Sequence, residues 1–519
     1  MMPKKIEINS KMVFWSAFTA LFAFNIYTHF WGLERFNTLV FDETAYPKMA
    51  QAYINGLPVN DPHPPLGKYL LALGLKISDA IGSLGVESND LTGSIREPWM
   101  YRWISALAGL LTPFALGWLT WESSHRPRLT ILAILFASIE GLFLVESRYG
   151  LINIWLILFG VLGHAFFMKS LRSNKSSNIS IFYLVFSGLF LGACLSIKWT
   201  GVAFLVALWT LWLLLKLEKL FLMHQITIAK KVDAIKARLN FSYVNSRDIF
   251  SYEIEKSNRG IYEKLQSLSF SKLILCLLVI PGALYTLQWQ PHLRINSTSF
   301  IQAHEQILNY HESMKDEHPY CSKWYTWPIM LRPVGYFFGT SESINNPLPP
   351  NTPSSNKKGN DIFYDVHGMG NPPLWWCSIF VLMGVAVYAI LALKALLIAK
   401  FSMGGFQKGT AIFSLKIKQL NQEQIFSFYL LIGYFGSLLP WAGIARCVFI
   451  YSYMPSLVFA ILALAYCSDY ILTLKKWRII SFAVILVSLM GFYYWLPNFL
   501  GLPLTSAEFF SRMWFRSWI

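Results

Sequence analysis

The stretch TLVFDETAYPKMAQAYINGLPVNDPHPPLGKYLLALGL, residues 38–75, decides how this chain is read. It follows the first apolar run, Met12 to Trp31, and is dense in charge and proline where its surroundings are greasy. An acidic pair, Asp42-Glu43, opens it, and His63-Pro64-Pro65-Leu66-Gly67-Lys68 closes it. The prolines restrict the backbone and Gly67 permits close approach. A carboxylate tuned by burial can act as a general base, and His63 and Lys68 are donors suited to phosphate or carboxylate. Taken singly, each motif has a plainer reading. The acidic pair could be solvated, and the proline turn could lead into an interfacial helix whose Lys68 reaches the headgroups.

The rest of the chain places this segment at a membrane edge. Its 519 residues are 55% hydrophobic and only 14% charged, with mean hydropathy +0.42. That composition excludes a soluble domain of this length, and apolar runs of about 18 residues or more read as membrane spans. The first run is too long for a signal-peptide core and no small-residue cleavage site follows it, so it is expected to stay as a span. About eleven spans are expected in all, near 12–33, 101–121, 129–145, 150–168, 181–197, 200–222, 272–290, 374–398, 425–441, 447–467 and 478–497. The fold class is therefore an all-α polytopic membrane protein. The short loops on the side of the N-terminus are the more basic, which predicts a cytoplasmic N-terminus. The net charge of +16 is then explained by topology and anionic lipid, not by nucleic acid. The six cysteines, Cys194, Cys276, Cys321, Cys377, Cys447 and Cys467, show neither disulfide nor zinc spacing.

Three soluble pieces stand out. The first outside loop covers 32–100, and its part from Lys68 to Leu84 is amphipathic enough to lie along the interface. A segment of mixed charge, 223–271, reads as a cytoplasmic helical insert. The second outside loop, 291–373, is rich in aromatics and histidine before it becomes NNPLPPNTPSSNKKGN at 345–360, a low-complexity excursion. The expected organisation is an N-terminal catalytic membrane module (1–290), the large loop (291–373) and a four-helix-type C-terminal region (374–519). No repeat suggests an inverted-repeat transporter.

Cations recur at the outer ends of spans: Arg102, Arg148, Lys198 and Arg446. Ionisable groups near lipid are functional candidates, and with Asp42 and His63 they could build a site for an anionic headgroup; singly, each could snorkel. His304, His311 and His318 recur at helical spacing, but Pro319 ends such a helix and no fourth ligand is evident, so no metal site is expected. Trp324, Tyr325 and Trp327 suit either sugar stacking or an interfacial belt.

These residues match a family. Asp42-Glu43, HPPLGK at 63–68, the Arg102 segment, SIKWTG at 196–201, the block from His304 to Phe338, HGMGNPPLWW at 367–376 and ARCVFIYSYMP at 445–455 together resemble the protein O-mannosyltransferases. Those are polyprenyl-phosphate-mannose-dependent enzymes of GT-C architecture. The resemblance implies transfer of mannose, with inversion, to Ser or Thr hydroxyls of translocated proteins on the extracytoplasmic face of the plasma membrane. Asp42 would be the general base and Glu43 would position base or acceptor. His63, Lys68, Arg102, Arg148, Lys198 and Arg446 are assigned to the donor and its phosphate. Trp199, Trp324, Tyr325, Trp327 and Arg332 are assigned to acceptor or sugar. The implied partners are the polyprenyl-phosphate sugar, Ser/Thr-containing acceptor proteins and the bilayer, with the secretion machinery as a further candidate. No cofactor is obligatory and a divalent metal stays open. The large loop is too short for the β-trefoil MIR module of eukaryotic members, so the chain resembles the shorter bacterial form. It departs from the family at Ser452, where Tyr-His-Tyr is usual, and at Asn153, where an Asp is common. The alternatives are a GT-C transferase acting on a lipid or glycan acceptor, and a transporter or scaffold. The latter predicts midplane charges, whereas here the charges gather at one face.

Overall fold

The computed structural model describes residues 10–173, 177–238, 249–255, 257–314, 318–341, 362–397, 400–407 and 410–519. The chain opens with helix α1 (Ser10–Phe30), and then a loop that holds α2 (Tyr46–Ile54), α3 (Leu66–Ile81) and a hairpin of β1 (Asn89–Leu91) and β2 (Ser94–Arg96). Helices α4 (Pro98–Ser124), α5 (Pro127–Ser138), α6 (Gly141–Arg148), α7 (Asn153–Arg172), α8 (Ser177–Ile197) and α9 (Val202–Arg238) follow. Helix α3 buries Lys68, Leu71, Ala72 and Leu75 and exposes Leu73, Ile77 and Ile81, the two-sided pattern of an interfacial helix.

Two close approaches explain how the first helices pack. A Cβ on Gly109 of α4 would lie 2.3 Å from Ser147 Cβ and 2.6 Å from His29 Cδ2, so glycine lets α1, α4 and α6 meet. Asn25 Nδ2 donates to Ser138 Oγ at 2.7 Å and ties α1 to α5. The span expected at 129–145 is not straight: α5 and α6 meet at 58°. Glu140 causes the break. Its carboxylate accepts from Leu142 N at 3.0 Å and caps α6, and it also accepts from Trp375 Nε1 at 2.9 Å.

Beyond α9 come β3 (Ile249–Glu255), α10 (Tyr262–Ser267), and a membrane segment, Phe270–Asn296, interrupted by a π turn at Leu275–Val279. Helix α11 (Phe300–Ser313) and strands β4 (Val334–Ser341) and β5 (Ile362–Gly368) complete the large loop. Helix α12 (Pro372–Leu397), strands β6 (Lys400–Gln407) and β7 (Thr410–Lys418), and helices α13 (Gln422–Leu438), α14 (Met454–Thr473) and α15 (Arg478–Leu500) follow, with β8 (Pro503–Thr505) near the end.

Among the described residues nine helices are long and apolar enough to span a membrane, or ten if the bent pair is one span, against the expected eleven. Helix α1 lies outside that set: Asn25, Thr28 and His29 interrupt its apolar run and are buried against neighbours. The protein is mainly helical, as expected, but β4 and β5 of the large loop form an antiparallel sheet with β8. The 223–271 insert is not wholly helical. Helix α9 continues to Arg238, and β3 pairs in parallel with β7, which itself pairs with β6. The low-complexity stretch 345–360 lies outside the described residues. Cysteine spacing also misled: Cys321 and Cys447 form a disulfide across a separation of 126 residues, brought together only by the fold.

Candidate active site

Two arginines build the loop that carries Asp42. Arg148, ending α6, donates through Nη1 to Thr28 O (2.6 Å) and through Nη2 to Trp31 O (2.8 Å). A helix C-terminus leaves its last carbonyls unpaired and favours a cation there, so Arg148 caps α1. Arg102, on α4, fixes the next stretch. Its Nη1 donates to Leu33 O (2.8 Å) and Phe36 O (3.2 Å), and its Nη2 to Thr38 O (3.0 Å).

The rest of the Arg102 guanidinium forks onto Glu43, Nε to Oε1 and Nη2 to Oε2, both at 2.8 Å. Glu43 also accepts from Val40 N and Gly150 N, each at 2.8 Å. Its lone pairs are taken, and it points into the protein. Successive side chains on a 3-10 turn are about 120° apart. The turn Phe41–Thr44 therefore buries Glu43 and sends the half-buried Asp42 into the cavity.

That cavity has a volume of about 1520 Å³. Asp42, His63, Lys198, His311, Arg446 and Tyr451 line its polar part. Leu156, Val202, Val206, Trp441 and Ile444 add apolar lining, and Val202, Val206 and Ile444 keep more than two fifths of their surface exposed.

The loop 60–65 is held from behind. Lys68 pairs with Asp61 in a buried ion pair and donates to Pro64 O at 2.7 Å, while Asp61 accepts from His63 N at 2.9 Å. His63 is thereby presented to the cavity beside His311, ring centroids 5.6 Å apart. His311 Nε2 donates to Pro62 O at 3.0 Å. Lys198 stands between α8 and α9, over the rings of Tyr46 (5.9 Å) and Tyr451 (5.3 Å). Trp199 donates to Tyr285 Oη at 2.8 Å, and Tyr285 donates to His304 Nε2 at 2.7 Å, because His304 Nδ1 is engaged with Phe300 O. Opposite, Arg446 Nη1 donates to Cys447 O at 3.2 Å. The Cys321–Cys447 disulfide and a bond from Ser322 N to Val448 O (2.9 Å) staple its loop to the large loop.

Burial sets the charges. The Asp42 carboxyl is raised above its ordinary value by burial, against the attraction of Lys198 and His318. Burial lowers Lys198 to about 8, with Asp42 and then Glu146 acting in the opposite sense. His63 is pushed well down by burial and by Lys198 and Lys68, so it meets a ligand as a neutral ring.

The structure brings together Asp42, His63, Lys198, Trp199 and Arg446. It sets the other expected residues apart. Glu43, Lys68, Arg102 and Arg148 support the cavity from behind, because buried polar groups need internal partners. Trp327 is buried and donates to Ser322 Oγ at 2.8 Å. Trp324 packs on the core, and Tyr325 is exposed with its ring edge-on to Trp324. Arg332 donates to Pro319 O at 3.0 Å and lies over the Tyr320 ring. None of these four lines the cavity. The histidines 304, 311 and 318 do not converge: His304 bonds Tyr285, His311 bonds Pro62 O, and His318 lies beyond the end of α11 with its ring against Phe449. Among the described residues no group of three His, Cys, Asp or Glu could hold a metal ion. The sequence reading missed Asp61, Glu146 and Tyr336. Asp61 could have been found, since an acid just before HPPLGK is a natural mate for its lysine; the other two come from distant elements.

A many-span helical membrane protein with a carboxylate, two cations and apolar residues lining one cavity at the span ends has the makings of a GT-C glycosyltransferase. Residues 19–296 match the family described as dolichyl-phosphate-mannose-protein mannosyltransferase, and 297–518 match the C-terminal four TMM region of protein-O-mannosyltransferase. The chain belongs to the protein O-mannosyltransferase family. It is 23% identical to a polyprenol-phosphate-mannose–protein mannosyltransferase of Corynebacterium glutamicum, over 97% of this chain and 92% of that protein. Against dolichyl-phosphate-mannose–protein mannosyltransferase 6 of Saccharomyces cerevisiae it is 25% identical, but the match spans 34% of this chain and only 24% of the yeast protein. Its fold is similar to that of the S. cerevisiae Pmt1-Pmt2 complex bound to the sugar donor, with TM-score 0.70 and 14% identity over 99% of this chain and 93% of that one.

Proposed function

We propose that this protein transfers mannose from a polyprenyl-phosphate-mannose to Ser or Thr hydroxyls of proteins, with inversion at the anomeric carbon. The carrying observation is a cavity lined by Asp42, Lys198 and Arg446 together with apolar residues, in which Lys198 attracts the Asp42 carboxylate. A polyprenyl chain fits along Val202, Val206 and Ile444, which sets its phosphate near Lys198 and Arg446. The acceptor oxygen attacks the anomeric carbon from the Asp42 side. Asp42 takes the hydroxyl proton, the bond from carbon to phosphate oxygen breaks, and the polyprenyl phosphate leaves with the electron pair. Charge grows on that phosphate, and preorganised cations in a site of low dielectric stabilise it. His63 is neutral and suits a hydroxyl of the sugar better than its phosphate. Glu43, Arg102, Arg148 and Lys68 hold the loop that aims Asp42.

The cavity opens on the side of the first and large loops, in this reading the outer face of the plasma membrane, with the N-terminus cytoplasmic. The acceptors are then proteins emerging from the secretion machinery. Purified protein, a radiolabelled polyprenyl-phosphate-mannose and a Ser/Thr-rich peptide give the test, with Asp42→Asn beside wild type. Transfer by wild type that the variant loses is expected. Transfer only to extracted lipid or glycan would replace the acceptor, and equal rates for both proteins would remove Asp42 as the base.

A further inference from the structure

Glu146 is a fully buried carboxylate, near the end of α6, that the chemistry above leaves unused. Its Oε2 accepts from Asn153 Nδ2 at 3.1 Å, and Asn153 lines the cavity. Its Oε1 accepts from the hydroxyl of Tyr336 on β4. The Tyr336 ring stacks on Phe41, centroids 4.2 Å apart and planes at 12°. Phe41 has a φ of +53°, a left-handed conformation that an aromatic residue adopts only where its surroundings impose it. It immediately precedes Asp42. A continuous set of contacts therefore runs from Glu146 through Tyr336 and Phe41 to the base.

We infer that Glu146 is a positioning residue of the transfer site: it directs Asp42 through Tyr336 and Phe41, and its charge, seated behind Asn153, balances that of Lys198. The inference rests on the roles given to Asp42 and Lys198 above. When Asp42 takes the acceptor proton it loses its charge, and Glu146 is then the next acid in order of its effect on Lys198. The charged groups that act on Lys198 are Asp42, Glu146, Lys68 and Asp61, with the rings of Tyr46 and Tyr451 against it and His63 and His311 within its field.

Three variants separate the two parts of this role. Glu146→Gln keeps an acceptor for Tyr336 and removes only the charge. Glu146→Gln with Asn153→Asp returns the charge one contact away. Tyr336→Phe keeps the charge and cuts the link to Phe41. The first readout is the pH dependence of Lys198 acetylation by acetic anhydride, followed by mass spectrometry on purified, monodisperse protein. Its midpoint should fall by about one pH unit in Glu146→Gln and return in the double variant. Tyr336→Phe should leave that midpoint in place and lower the transfer rate roughly tenfold. An unmoved midpoint in Glu146→Gln, or wild-type transfer by Tyr336→Phe, overturns the inference. If Glu146→Gln does not accumulate, the double variant decides: a wild-type midpoint supports the inference and a displaced one overturns it. The acetylation needs neither donor nor acceptor, so it decides the role of Glu146 even if wild type transfers no mannose, a result that would instead refute the proposed function.

Discussion

Arg102 and Glu43 form a buried two-pronged ion pair, Nε–Oε1 and Nη2–Oε2 both 2.8 Å, with side chains 1% and 0% exposed. A carboxylate desolvated to that degree needs its partner. The pair joins α4 to the turn that carries Asp42, the proposed base, so stability and activity should depend on it together.

Arg102→Ala should destabilise the protein by about 3–5 kcal/mol, since it strands the Glu43 charge in the interior. Arg102→Lys should recover little, because an ammonium cannot fork onto the carboxylate while also bonding three carbonyls. Thermal unfolding in detergent and mannose transfer, measured on the same preparations, check both.

Asp42→Asn should behave in the opposite way. The Asp42 side chain borders the cavity, so unfolding temperature should stay at the wild-type value while transfer falls by roughly 10²–10⁴-fold. A fall in stability as large as that of Arg102→Ala would place Asp42 with the supporting residues.

The rate should depend on pH as a bell. Asp42 is raised, so its base form is lost as pH falls, beginning higher than for an ordinary carboxylate. Lys198 is lowered to about 8, so its charge is present below that pH and lost above it. Lys198→Arg should keep a cation at all working pH and carry the alkaline limb beyond the range, which a pH series of initial rates would show.

Reduction of the Cys321–Cys447 disulfide, or Cys447→Ser, should loosen the loop bearing Arg446. The expected stability loss is about 2–4 kcal/mol, with a raised KM for the lipid donor and a smaller effect on kcat. Unfolding and donor titration with and without reductant check this.

Much of the fold is legible in the chain because spans announce themselves by length and apolarity. Span three misled at its middle, where Glu140 looks like an ordinary polar interruption. It becomes a break only because its carboxylate caps α6 and accepts from Trp375, far along the chain. The strands escaped for a related reason. Val334–Ser341 and Ile362–Gly368 are short, and what makes them a sheet is pairing with each other and with Pro503–Thr505.

The site divides in the same way. Residue type and position were enough to nominate Asp42, His63, Lys198, Trp199 and Arg446, since cations and acids at the ends of apolar spans are costly without a use. The same logic also drew in Arg102, Arg148 and Lys68, whose charge is spent on carbonyls and carboxylates inside the protein. Composition does not distinguish a cation that faces a ligand from one that faces a helix end.

Membrane class and family were thus determined by the sequence itself, and the acid proposed as the base was nominated there, because hydropathy and local motifs act over short distances along the chain. Only the tertiary structure decided which of two adjacent acids enters the cavity, which cations line it, and that Cys321 meets Cys447. Those outcomes depend on the direction of a side chain on a turn and on partners contributed by remote helices.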